Sequence, residues 1–314
     1  MGYDAAMNGR RLLTAAVAAV LLAGCGAVAH HRSPAVAANL LGSSGTAALG
    51  TSFEANYTAT VSISLQGVSG LPAATLQQLQ QAAAKLSGST ISGQILYQSS
   101  GTEELSYNVP ALFSGTVHLL EVGGAGYVSL NGAQWYAIQS PGASSWPGGA
   151  AGLQTQLRQL LSSLKSATKV TDLGSGGTVN GVPTEHIQAE LPGSALAAAL
   201  SGALGSLGQS TGATPGAGIL SQLVNFGTTT VDGWVATTDH LPQRLTSSSS
   251  ATLDLGALSM LAPSGSPSVT GSASMGLQTG VDFSRFGADF GLSKPAVILP
   301  GSPQLPQSSL SQFA

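Results

Sequence analysis

From Phe53 to Gln66 the chain alternates without a break. Phe53, Ala55, Tyr57, Ala59, Val61, Ile63 and Leu65 fall on one side, with Thr58, Thr60, Ser62, Ser64 and Gln66 on the other. A period of two over this length predicts a strand with one apolar and one polar face. The period then changes. Leu76, Leu79, Ala83 and Leu86 within 73–86 stand at helical spacing and predict an amphipathic helix. Alternation returns through Ile91, Ile95 and Tyr97, then through Leu105, Tyr107 and Val109, and GTVHLLEV is a further strand.

GYVSLNGAQWYAI, residues 126–138, predicts a hairpin, because Asn131-Gly132 supplies the two positive-φ positions of a type I′ turn. Leu153, Leu157, Leu160, Leu161 and Leu164 then mark a second amphipathic helix. TVNGVPTEHIQAEL (178–191) holds another Asn-Gly and a strand with Ile187, Ala189 and Leu191 on its apolar face. The Ala/Leu stretch 195–208 is too short and Gly-broken to span a bilayer and predicts a buried or cavity-facing helix. The last third reads as strand again, through VDGWVATTD, QRLTSSSSATLDL and SVTGSASMGLQTGVDF. Many sequential strands with short turns and few helices predict an α+β fold: one large antiparallel sheet with helices on one face.

The beginning of the chain has a different pattern. Arg10 and Arg11 precede the apolar run Leu12–Ala23, followed by Leu22-Ala23-Gly24-Cys25. A positive segment, a short apolar segment and small residues before a cysteine form a bacterial lipoprotein signal. Residues 1–24 are the expected signal peptide, with translation starting at Met1 or Met7, and Cys25 the lipidated residue of the mature chain. Two or three acyl chains anchor stably, since each buried CH₂ adds about 0.8 kcal/mol. The expected location is the extracytoplasmic face of the cell membrane. Cys25 is the sole cysteine, so no internal disulfide is available. The Ala/Gly/Ser-rich residues up to 50 read as a flexible tether, 51–294 as one domain, and 295–314 as an irregular Pro/Ser-rich tail.

Composition narrows the partners. Charged residues make up 7% of the chain, against about 25% in ordinary domains. Ten Lys and Arg with a net charge of −3 form no basic patch, so nucleic acid is not an expected partner.

The lipobox and tether, YVSLNGAQWYAI, VNGVPTEHIQAEL, VDGWVATTDHLPQRL and the closing Asp282-Phe283-Ser284-Arg285-Phe286-Gly287 together resemble the LolA-like lipoproteins of actinobacteria, the LppX/LprA/LprF/LprG group. The similarity runs over about residues 50–300. It implies a strongly curved antiparallel sheet, a half-barrel, closed by helices over its concave side. It further implies acylated lipids or lipoglycans held between sheet and helices for movement across the envelope. The Gly/Ser/Ala-rich insertion 201–218 departs from that group.

The residues themselves allow the same pocket. Small residues on the apolar faces (Ala55, Ala59, Gly93, Ala189, Ala236) leave a sheet–helix interface either tightly closed or hollow. The expected lining of a lipid cavity is Val61, Ile63, Leu65, Tyr97, Leu157, Leu161 and Val235. An alternative is a regulatory or scaffold lipoprotein binding an envelope protein partner through the same half-barrel.

Catalytic patterns fail on context. Gly208-Gln209-Ser210-Thr211-Gly212 lacks the strand-to-helix setting of a nucleophile elbow, and Ser162-x-x-Lys165 lacks its companion motifs. His118, His186 and His240 lack metal-ligand spacing. Asp232 and Asp239 are explained by strand and turn chemistry, Trp135 and Trp234 by anchoring roles. No enzyme activity, metal or cofactor is expected.

Overall fold

The computed structural model describes residues 32–108, 110, 115–138, 167–194, 224–259 and 268–300. In chain order the elements are α1 (Pro34–Leu49), β1 (Phe53–Ser69), α2 (Ala73–Leu86), β2 (Thr90–Gln98), β3 (Thr102–Asn108), β4 (Val117–Val122), β5 (Ala125–Leu130) and β6 (Gln134–Ala137). Then follow β7 (Lys169–Val179), β8 (Val182–Leu191), β9 (Val224–Phe226), β10 (Thr229–Ala236), β11 (Pro242–Asp254), α3 (Leu255–Ser259), β12 (Thr270–Ser284) and β13 (Ile298–Leu299).

The strands form one curved, unclosed sheet in the order β13-β6-β5-β4-β3-β2-β1-β12-β11-β10-β8-β7, with β9 added on β11. All pairs are antiparallel except β13 with β6. Local turn chemistry makes the hairpins. Asn131 (φ 60°) and Gly132 (φ 71°) join β5 to β6, and Asn180 (φ 51°) and Gly181 (φ 81°) join β7 to β8. The centre of the sheet is not local. β1 pairs with β12 from Glu54↔Ser284 to Gln66↔Ser272, bringing together strands more than 200 residues apart.

Helix α1 corrects the expected tether. Residues 34–49 are ordered helix, entered through Ser33 and Pro34, the latter a first-turn position that needs no N–H. Ala37, Leu41, Ser44 and Ala48 recur at helical spacing and are all buried. Ala37 and Leu41 pack on Ile187, Ala189, Leu191, Val231 and Val235. Ala48 packs with Phe53, Ala55, Tyr97 and Phe283. The folded domain therefore begins at Arg32, because this apolar stripe is removed from water only on the sheet. The tail is corrected too: Ile298 and Leu299 pair with Trp135 and Tyr136 and so belong to the sheet.

Direct cross-strand pairing defines the inner face, the one α1 covers. It carries Phe53 and Ala55 of β1, Phe283 and Val281 of β12, Leu245 of β11, Gly233 and Val231 of β10, and Ile187 and Ala189 of β8. Several small positions on this face are filled by their neighbours. A Cβ on Gly93 would come within 2.6 Å of the Tyr57 hydroxyl, and Ala55, Ala189 and Ala236 are at most 1% exposed. Under α1 the interface closes tightly.

Candidate functional site

Beyond α1 the inner face is only half covered. From residue 61 onward β1 has lost its β2 partner and pairs with β12 alone on that ladder. Its apolar side chains stand opposite those of β12: Val61↔Leu277, Ile63↔Met275 and Leu65↔Ala273. β11 extends the same face with Ala251↔Met275 and Leu253↔Ala273. Val61, Ile63 and Leu65 are half-buried, while Met275 and Leu277 remain 49% and 39% exposed.

Helix α2 returns alongside this part of β1, tied by Gly88 N–H to Val61 O (2.7 Å) and Ile63 N–H to Ser87 Oγ (3.2 Å). The helix matches its expected span, yet its stripe is not buried. Leu76, Ala83 and Leu86 are half-buried and Leu79 is 39% exposed. The result is a contiguous run of aliphatic residues on β1 and β12, with an amphipathic helix beside it.

The expected lining residues thus divide. Val61, Ile63 and Leu65 share this half-covered surface. Tyr97 and Val235 do not: both lie in packed core, Tyr97 against Phe53 (ring centroids 5.0 Å) and Val235 in the cluster beneath Leu41. They fail as lining because α1, read from sequence as tether, fills the space above them. Leu157 and Leu161 lie outside the described residues, as do Cys25, Ser162, Lys165 and Ser210. Met275, Leu277 and Leu79 were missed as candidates. The alternation of β12 (Ala273, Met275, Leu277) was legible, but its pairing with β1 was not.

Apart from Asp172 and Glu185, which meet Arg32, the inner face carries a buried acidic pair on β3 and β4. Glu103 of β3 stands opposite Glu121 of β4 and opposite Tyr97 of β2. Glu103 is 2% exposed and neither of its carboxyl oxygens has a hydrogen-bond partner. Burial, and then the charge of Glu121, pushes its pKa up to about 8, so it is largely protonated at neutral pH. On the same face, burial and then Tyr107 push the Tyr57 phenol up to about 12; its hydroxyl donates to Ser106 O at 3.4 Å.

On the outer face His186 and His118 are polar-face strand residues with partners of their own. His186 bonds Asp232 at 2.8 Å and stacks on Trp234 with centroids 4.3 Å apart, while Gln188 donates to the same Asp232 oxygen. His118 bonds Glu104 at 2.8 Å, edge-on to Trp135. His240 (φ 59°) lies in the turn where Asp239 accepts the Leu241 N–H. Among the described residues no cluster of three or more His, Cys, Asp or Glu is placed to hold a metal ion. Among them, too, no helix is long and apolar enough to cross a membrane.

These features define an α+β half-barrel: a curved, open antiparallel sheet, sealed by a helix at one end of its inner face and half-covered at the other. Among solved structures the chain is similar to the crystal structure of the Mycobacterium tuberculosis lipoprotein LppX, at 17% identity and a TM-score of 0.38, covering 83% of this chain and all of that one. No family model and no curated protein matches the chain.

Proposed function

We propose that this protein is a lipoprotein, acylated at Cys25 and held at the extracytoplasmic face of the cell membrane. It binds the acyl portion of a lipid or lipoglycan and passes it on within the envelope. The observation that carries this reading is the half-covered aliphatic surface made by Val61, Ile63, Leu65, Met275 and Leu277. Exposed aliphatic residues adjoining on paired neighbouring strands support an interaction site there. Hydrocarbon is its chemical complement, since each acyl CH₂ taken out of water there contributes about 0.8 kcal/mol. The role is binding, with no bond made or broken.

The test uses the chain from residue 25 with Cys25→Ala, so that no covalent lipid interferes. Native mass spectrometry and solvent extraction are expected to recover bound acyl lipid, and an empty protein is expected to take up a fluorescent fatty-acyl probe. A protein that emerges empty and rejects the probe overturns the reading. So does a protein recovered with one stoichiometric protein partner and no lipid.

A further inference from the structure

Arg32 fixes the point where the chain enters the folded domain. Its backbone N–H donates to Asp172 Oδ2 at 2.7 Å, and its guanidinium donates to both carboxylate oxygens of Glu185. The Asp172 side chain, 1% exposed, also accepts the Gly174 N–H at 2.8 Å. Two residues later α1 begins and is buried against the sheet. Only residues 26–31 separate Cys25 from this clamp. Fully extended, that stretch spans at most about 25 Å.

Two large apolar side chains are exposed beside the clamp. Val36, in the first turn of α1, is 49% exposed, and Leu173, next to Asp172 on β7, is 43% exposed. β7 is the last strand of the sheet, so this corner is an edge of the domain. Arg32 is shared by Glu185 and the buried Asp172, and Lys169 pairs with Glu190.

We infer that the corner formed by the start of α1 and strand β7 rests on the bilayer surface, with Val36 and Leu173 inserted at the boundary between headgroups and acyl chains. This rests on the acylation of Cys25 proposed above. The short span keeps the domain from standing off, the clamp determines which corner meets the membrane, and the two aliphatic side chains match what they meet. Val297, which leads into β13 at the other edge of the sheet, serves as the comparison position.

The test uses the full acylated chain in phosphatidylcholine/phosphatidylglycerol vesicles containing doxyl-labelled lipid. Because the sole native cysteine carries the anchor, a thiol-reactive dye labels only an introduced cysteine. Val36→Cys, Leu173→Cys and the control Val297→Cys all replace exposed side chains. Dye at 36 and at 173 is expected to be quenched at least threefold more than dye at 297. Equal quenching at all three positions, or stronger quenching at 297, overturns the inference. The mass of the N-terminal peptide from the same sample separates the two failures. An acylated Cys25 without preferential quenching overturns this orientation alone, whereas an unacylated Cys25 overturns the anchor and the orientation together.

Discussion

Leu41 of α1 occupies the volume that a side chain at Gly233 of β10 would need. A Cβ built on Gly233 would lie 2.3 Å from Leu41 Cδ1, and Leu41 itself is 2% exposed. The missing side chain on the strand and the knob on the helix are one interaction. It turns a stretch with the composition of a linker into part of the core, and it makes the half-barrel tight at that end.

Leu41→Ala is expected to destabilise the domain by about 2–5 kcal/mol, the range for deleting a buried leucine. Gly233→Val is expected to be at least as damaging, because the branched side chain meets Leu41 and, at 3.3 Å, Leu245. Urea unfolding followed by circular dichroism measures both. If 34–49 were a loose tether, Leu41→Ala would leave the midpoint unchanged.

Asp172 is buried and accepts two backbone N–H groups, those of Arg32 and Gly174. Asp172→Ala orphans both and is expected to cost about 1–3 kcal/mol. Asp172→Asn retains one acceptor oxygen and is expected to cost less. Hydrogen exchange at Arg32 and Gly174 reads the local effect, with faster exchange expected in the alanine variant.

Glu103 makes stability depend on pH in a defined direction. Its folded-state pKa, about 8, lies above the ordinary value of 4.5. Between those limits the folded protein holds a proton that the unfolded chain has released. The contribution of Glu103 is therefore complete below the lower value and is lost as pH rises towards the upper one, a change on the order of a few kcal/mol. Glu103→Gln keeps a neutral side chain of the same shape. The variant is expected to show a flatter melting-temperature profile from pH 5 to 8.5 and to be the more stable protein at the alkaline end. Parallel profiles for the two proteins would exclude this role for Glu103.

Met275→Glu and Leu277→Glu place a carboxylate on the half-covered surface at positions 49% and 39% exposed. Each is expected to weaken fatty-acyl probe binding at least tenfold, a loss of about 1.4 kcal/mol or more. Their melting temperatures should stay within about 3 °C of the parent, as for surface substitutions. Val235→Ala, in packed core, is expected to show the reverse, lower stability with little change in probe affinity for the fold that remains.

Much of the local structure was legible from pattern. The alternation of β1, the helix 73–86 and the Asn131-Gly132 turn depend on contacts within a few residues, and the structure shows all three. Other elements escaped. α1 has the spacing Ala37, Leu41, Ser44, Ala48 and the entry Ser33-Pro34, but small side chains and Gly42 and Gly45 hid its stripe. β7 went unread because Gly174, Gly176 and Gly177 dilute its alternation, and its ladder with β8 carries two irregularities. Ile298 and Leu299 join the sheet only because β6 presents a free edge to them, which no local signal announces.

The sequence by itself determined the α+β class, the apolar and polar faces of the long strands and the tight hairpins, because periodicity and turn residues act through near neighbours. Only the tertiary structure decided which apolar residues are core and which remain available. Val235 and Ile63 are both aliphatic strand residues. One is sealed because α1 crosses above it, and the other stays half-covered because β1 there pairs with the distant β12 beyond that helix's reach. That difference depends on contacts between segments far apart in the chain, which periodicity does not encode.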